Sequence, residues 1–170
     1  MKEPFRLQAE KEGKQFQLSF DMSDPVVLGD PFRISQIMNN LLSNGLKFTG
    51  QGDSITVSVT QFQKETHAKY QIVVKDTGIG MSEEFLPQIF EPYARETRFT
   101  ARKITGTGLG MPIVKNLVTQ MSGQIQVESH LGEGTTFTLV LPLEAVRSQE
   151  VEMAENQEAD QQSAPPAALG

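Results

Sequence analysis

Five segments of this 170-residue chain read as strands, and only two long ones carry helical periodicity. Residues 15–21, 54–60 and 124–128 alternate polar and apolar side chains, the signature of a strand with one buried face. Residues 70–75 contain consecutive apolar residues, which predicts a strand buried on both faces. Residues 136–141 form a last strand, closed by Pro142. Between the first two strands, Asp30 and Pro31 open a helix, and Ile34, Ile37, Met38, Leu41 and Leu42 follow at helical spacing. The second helix has Pro112 near its start and Ile113, Val114, Leu117, Val118 and Met121 on its apolar face, with Gly123 ending it. Ser82, Glu83 and Glu84 cap a shorter piece that Pro87 and Pro92 confine. Residues 1–15 are polar, with apolar side chains too sparse to predict a helix. The order strand, helix, two strands, loop, helix, strand, strand supplies helices for one sheet face only. It favours a two-layer α/β sandwich over a doubly wound fold.

Several function classes are excluded by composition. The chain has no cysteine, so it can form neither a disulfide nor a thiolate metal site. Its two histidines, His67 and His130, lie far apart, which disfavours a histidine-rich zinc site. No apolar run approaches the roughly 18 residues of a membrane span, and the first residues lack the apolar stretch of a signal peptide. The cytosol is the expected location of this segment, which is not itself membrane-inserted; a membrane-anchored parent protein is compatible with that. The net charge is −6, and much of it sits after residue 145, where Arg147 stands against Glu150, Glu152, Glu155, Glu158 and Asp160. No basic surface is implied, so nucleic acid is not an expected partner. Residues 145–170, rich in Glu, Gln, Ala and Pro, read as a disordered acidic tail or interdomain linker.

The chemistry concentrates in three places. The first is Asp76-Thr77-Gly78-Ile79-Gly80, directly after a strand. Its glycines allow positive φ and close approach of a ligand, and an Asp at the strand end can accept a hydrogen bond from an amino group. Taken alone, the same loop is as readily a tight strand-to-helix turn. The second is Gly106-Thr107-Gly108-Leu109-Gly110, which opens a helix whose free N–H groups suit an anion. Alone, it is as readily a flexible hinge. No Gly-Lys-Ser/Thr follows, so it is not a Walker A loop. The third is a helical stripe of Arg33, Gln36, Asn40, Asn44 and Lys47. Asparagines are poor residues for a helix interior. An amide oxygen can ligate a hard cation and a lysine can meet a phosphate, though a stripe of this kind is also an ordinary solvated face.

Together these motifs carry a resemblance. Residues 36–49 resemble the N box of sensor histidine kinases, 76–81 their G1 box, 90–95 their F box, and 106–115 their G2 box. The resemblance spans about residues 15–142 and implies the GHKL ATPase superfamily, with a Bergerat-type fold of a mixed sheet covered on one face by helices. It implies ATP and Mg²⁺ as ligands. Asn44 is then the magnesium ligand, Asn40 lines the phosphate and metal site, and Lys47 meets a phosphate; Asn40 and Lys47 are the expected catalytic residues. Asp76 accepts from adenine N6, Gly78 and Gly80 shape that pocket, and Thr135 supports the adenine end through water. Gly106, Thr107, Gly108, Leu109 and Gly110 close over the phosphates. Residues 91–105 form the ATP lid, with Arg95, Arg98, Arg102 and Lys103 against Glu96, and with Phe90 and Phe99 as anchors.

Two positions depart from the family's usual pattern. Gly45 stands where alanine is frequent in the family, and Pro112 where a small residue is more common. Position 40 is Asn, where hydrolytic members of the superfamily have a Glu that activates water. An amide cannot act as a general base, which favours delivery of the phosphoryl group to a partner. The resemblance implies a phosphate-accepting histidine on a separate dimerisation helix of the same parent protein. Neither histidine here fits that role, since His67 lies in a polar hairpin-like segment and His130 in a turn. Residues 1–14 are then the linker from that domain, 15–144 the catalytic domain, and a response-regulator receiver domain the expected downstream partner. A GHKL-type serine kinase and a non-catalytic nucleotide-sensing module are the alternative readings.

Overall fold

The computed structural model describes residues 2–22, 27–28, 30–63, 69–94 and 109–145. In chain order the elements are α1 (Lys2–Lys11), β1 (Gln15–Asp21), β2 (Val27–Leu28), α2 (Pro31–Phe48), β3 (Ser54–Gln63), β4 (Lys69–Asp76), a 3-10 turn (Leu86–Gln88), α3 (Gly110–Gln120), β5 (Gln124–His130), β6 (Gly134–Pro142) and β7 (Glu144–Ala145). Five strands form a mixed sheet in the order β1-β3-β4-β6-β5. β1 runs parallel to β3, and the other neighbours are antiparallel. The short β2 and β7 pair with each other.

The period of two decides which face is covered. Leu18, Val57, Val74, Phe137 and Val127 stand side by side across the sheet, and Val59, Ile72, Leu139 and Ile125 form the next row. The helices close this face: Ala9 of α1, Ile37 and Leu41 of α2, and Val114 and Val118 of α3 join those rows in one core. Full burial of one such side chain is worth about 1.5–3 kcal/mol. The opposite face presents residues such as Thr56, Ser58, Lys75, Thr138 and Gln126. The result is the expected two-layer α/β sandwich, and β4 corrects one detail. Burial alternates along it, so it is covered on one face and not on both. Among the described residues, no helix is long and apolar enough to cross a membrane.

α2 is the best specified element. The Asp30 carboxylate accepts from the N–H groups of Phe32 and Arg33 at 3.0 and 3.2 Å, and Pro31 occupies the first turn. Such a cap is worth about 1 kcal/mol. At the other end, the Thr49 hydroxyl donates to the Gly45 carbonyl at 2.7 Å and the Lys14 ammonium to the Leu46 carbonyl at 2.6 Å. Two carbonyls that the helix leaves without partners are thereby satisfied.

Three expectations need correction. Residues 2–11 are helical, and Ala9 is fully buried in the core. α1 thus packs, through Phe5 and Ala9, on the same core as α2. The piece after Ser82 is a capped turn running into a single 3-10 turn. At the end of α3 the left-handed residue is Ser122, with φ 58°, and not Gly123. Gly123 is required for space, since a Cβ there would lie 2.6 Å from both Leu141 Cδ2 and the Val140 carbonyl oxygen. Of the acidic tail at 145–170, all but Ala145 lies outside the described residues.

Candidate functional site

One end of the covered sheet face turns polar. Beyond the apolar rows, the register places Ile55, Asp76, Thr135 and Ser129 side by side. Asp76, the last residue of β4, is only 7% exposed. Its Oδ1 accepts from the Gly78 N–H at 3.0 Å, and the Thr135 backbone N–H also donates to the carboxylate. Burial nevertheless pushes the Asp76 carboxyl up to about 6, against the pull of those two N–H groups. Above that pH the corner presents an anionic acceptor in a desolvated place.

The loop that follows is fastened on every side. Thr77 donates to the Ser54 carbonyl at 3.0 Å, Ile79 to the Phe48 carbonyl at 3.0 Å, and Gly132 to the Ile79 carbonyl at 2.9 Å. Met81 N–H donates to Ser129 Oγ at 2.8 Å. The backbones come so close that side chains are excluded. A Cβ at Gly78 would lie 2.0 Å from the Phe48 carbonyl oxygen, one at Gly80 1.9 Å from that of His130, and one at Gly134 2.0 Å from that of Asp76. Gly80 and Gly134 also have positive φ, +64° and +110°. Through Phe48, this loop is tied to the end of α2.

α2 carries Asn40 and Asn44 one turn apart, both half-buried. The start of α3 lies against Asn40: a Cβ at Gly110 would stand 3.6 Å from Asn40 Oδ1. Leu109 precedes that helix and its side chain does not cap it. Pro112 is the third helical residue, where its missing N–H breaks no helical bond. Lys47 is exposed and lines a cleft of about 240 Å³ between α1 and α2, with Phe5, Gln8, Glu12, Ser43 and Leu46. Phe90 packs against the core, and Lys115 Nζ of α3 lies 5.6 Å from its ring centroid, which joins the residues before the lid to α3.

The structure thus gathers Asp76, Gly78, Gly80 and Thr135 into one corner and sets Asn40 beside Gly110. Lys47 stands one turn beyond Asn44, on the side of α1. Arg95, Gly106, Thr107 and Gly108 lie outside the described residues, as do Arg98, Phe99, Arg102, Lys103 and His67. His130 ends β5 and is exposed. Three contributors were not foreseen: the Phe48 carbonyl, Gly134 and Ser129. Ser129 did leave a trace, because it falls in phase with Ile125 and Val127 on the inward positions of β5.

A buried acceptor at a strand end, a glycine loop locked against a helix end, and a helix stripe facing a second helix start define an ATP-binding domain. Residues 29–145 match the family described as histidine kinase-, DNA gyrase B-, and HSP90-like ATPase, and the chain belongs to that family. Within it, the chain is the ATP-binding catalytic domain of the two-component histidine kinases. It is 38% identical over 150 residues to the autoinducer 2 sensor kinase/phosphatase LuxQ of Vibrio vulnificus strain YJ016, covering 85% of this chain and 18% of LuxQ. It is 40% identical over 124 residues to the sensor protein GacS of Pseudomonas syringae pv. syringae, covering 73% of this chain and 14% of GacS. The chain thus spans less than a fifth of the length of these curated relatives. Among solved structures, full-length ShkA in complex with AMPPNP superposes with a TM-score of 0.70 at 26% identity, over 85% of this chain and 28% of ShkA. One crystal form of the catalytic domain of histidine kinase ThkA gives 0.67 at 26% identity, over 82% of this chain and 86% of that domain.

Proposed function

We propose that this domain holds ATP with magnesium and presents the γ-phosphoryl group to a histidine on a separate helical dimerisation domain. The observation that carries the reading is the join at Phe48. One carbonyl links the Asp76 corner to the helix that bears Asn40 and Asn44. Asp76 accepts from the adenine amino group, with Gly78 and Gly80 shaping the space and Thr135 beside it. Asn40, Asn44 and Lys47 serve the phosphates.

The donor set fits magnesium. The amide oxygens of Asn40 and Asn44 are hard ligands of the kind this ion takes, and it commonly shares its remaining positions with phosphates and water. Asn44 is the assigned ligand, with Asn40 one turn away. When bound, the ion neutralises phosphate charge and orients the γ-phosphoryl for in-line transfer. The chain's own residues position the donor: the corner fixes the base, the α2 stripe fixes the phosphates, and the start of α3 closes beside Asn40. Arg95, Gly106, Thr107, Gly108, Leu109 and Gly110 complete the phosphate side. Asn40 cannot deprotonate water, so hydrolysis is slow and the phosphoryl group awaits an acceptor. A receiver domain is the natural second acceptor, and the segment works in the cytoplasm, which is compatible with a membrane-anchored parent protein.

Labelled ATP, magnesium and a histidine-bearing helical domain from a related kinase test this directly. Label transferred to that histidine, with little release of free phosphate, is the expected result. A chain that binds neither ATP nor ADP at millimolar concentration is not an ATP-binding catalytic domain.

A further inference from the structure

The hydroxyl of Ser129 sits at the centre of a buried three-way contact behind the Asp76 corner. Ser129 is 3% exposed and Thr135 8%. Ser129 Oγ lies 2.8 Å from the Met81 nitrogen, 2.9 Å from the Gly134 carbonyl oxygen and 2.8 Å from Thr135 Oγ1. Three contacts need three protons, and only three are on offer: the Met81 N–H, the Ser129 O–H and the Thr135 O–H. The Gly134 carbonyl can only accept, so the Ser129 proton must go to it. The Met81 N–H can only donate, so it points at Ser129. The remaining contact is then made by the Thr135 proton, donated to Ser129 Oγ. This is the one assignment that satisfies all three contacts, and it leaves Thr135 Oγ1 with lone pairs only for any further partner.

Thr135 stands next to Asp76 in the sheet register. The ionised carboxylate is likewise acceptor-only. We propose that Ser129 is a positioning residue for base selectivity: by holding the Thr135 proton, it keeps the floor of the nucleotide corner free of donors. An acceptor-only floor welcomes the 6-amino group of adenine and repels a 6-oxo purine. Without Ser129 the Thr135 proton is released. It turns to the Asp76 carboxylate, where it competes with the adenine amino group, or to the 6-oxo group of the wrong base. Either outcome lowers discrimination. The inference rests on the ATP-binding reading and adds to it the residue that sets the direction of the hydrogen bonds.

The test compares ADP with inosine diphosphate, which carries a 6-oxo group and a protonated N1, by calorimetric titration of the 170-residue chain. Wild type is expected to prefer ADP by about 100-fold or more. In Ser129→Ala the preference falls about tenfold, which is the scale of one misdirected hydrogen bond. A purely structural loosening would weaken both nucleotides alike, so an unchanged ratio overturns the assignment. Thr135→Val removes the hydroxyl itself and covers the case in which Ser129→Ala does not fold. It too must lower the ratio, and an unchanged ratio counts against the proposal. In the double variant, Ser129→Ala adds no further loss if it acts through Thr135, whereas an additive loss refutes that route. A wild type that binds neither nucleotide overturns both readings, while a wild type that prefers ADP alongside a variant with the same preference overturns this one alone.

Discussion

A methyl group placed at Gly78 or Gly80 would stand 2.0 or 1.9 Å from the carbonyl oxygens of Phe48 and His130, whereas one placed at Gly110 would stand 3.6 Å from Asn40 Oδ1. Both loops show alternating glycines in the sequence. In the first, glycine lets three backbones meet, and the loop is a joint of the fold. In the second, the described glycine has ordinary van der Waals room and a helical backbone. On the proposed reading, the adenine end of the site is built as part of the core, while the phosphate end is laid against it. Ligand requirement and folding requirement coincide at one end of the nucleotide and separate at the other.

The largest expected effect tests the first half of that contrast. Gly78→Ala and Gly80→Ala must each displace a carbonyl and loosen the bonds around Ile79 and Met81. Each should destabilise the unliganded chain by about 3 kcal/mol, seen as an earlier urea midpoint with the slope unchanged. Melting near the wild-type temperature for both variants would remove the distinction between the loops.

Asp76→Asn acts at the same corner with the opposite sign. The rise of the Asp76 pKa from 3.8 to about 6 corresponds to about 3 kcal/mol of disfavoured charge at neutral pH. Between about pH 4 and 6 the folded chain retains a proton that the unfolded chain has released, so this contribution to stability falls as pH rises through that window. Nucleotide affinity runs the other way, because the amino group of adenine needs the ionised acceptor, and it should drop below about pH 6. The variant should gain about 1–3 kcal/mol at pH 7, lose the pH dependence that belongs to this group, and bind ADP at least about 100-fold more weakly. Denaturation at pH 5 and pH 7 with titration of ADP at both values separates the two. A variant less stable than wild type at pH 7 would mean that the Gly78 and Thr135 N–H groups outweigh burial.

What the sequence made legible follows the same division. Strands with clean alternation and helices with a cap announced themselves: the Asp30-Pro31 start of α2, the inward series Ile125 and Val127, and the polar stripe at Asn40 and Asn44 all follow from local pattern. α1 did not, because Phe5, Leu7 and Ala9 are too few to make a helical stripe. It is held by tertiary contacts, with Ala9 buried and Lys14 reaching the Leu46 carbonyl. Ser129 stayed hidden for a related reason. A serine at an inward strand position shows a departure from apolar alternation, but its partner Met81 comes from a distant loop, and Gly134 and Thr135 from the start of β6, and only the folded sheet brings all three to its hydroxyl. Backbone joints such as the Phe48 carbonyl leave no residue-type signal on the acceptor side, only a glycine on the other.

Gly45 gives a smaller and cleaner test of what room means in this domain. It lies inside α2, and a Cβ would meet Ile55 side-chain carbons at 3.6 Å or more. Gly45→Ala should therefore stabilise the chain by about 1 kcal/mol through helix propensity, with ADP affinity unchanged.

The smallest expected effect falls on Gly110, and it bears most directly on the contrast between the loops. Its backbone is helical, its position is the first of α3, and the nearest atom to an added Cβ is the tip of a polar side chain at 3.6 Å. Alanine at a first-turn position should leave stability the same or raise it by a few tenths of a kcal/mol, in thermal melts of the unliganded chain. Any loss of ADP affinity in that variant would then arise from the ligand's approach to α3 and Asn40, because the fold itself has room for the methyl group. A melting loss like that of Gly78→Ala would instead show that both glycine loops are joints, and the phosphate end would have to be regarded as core.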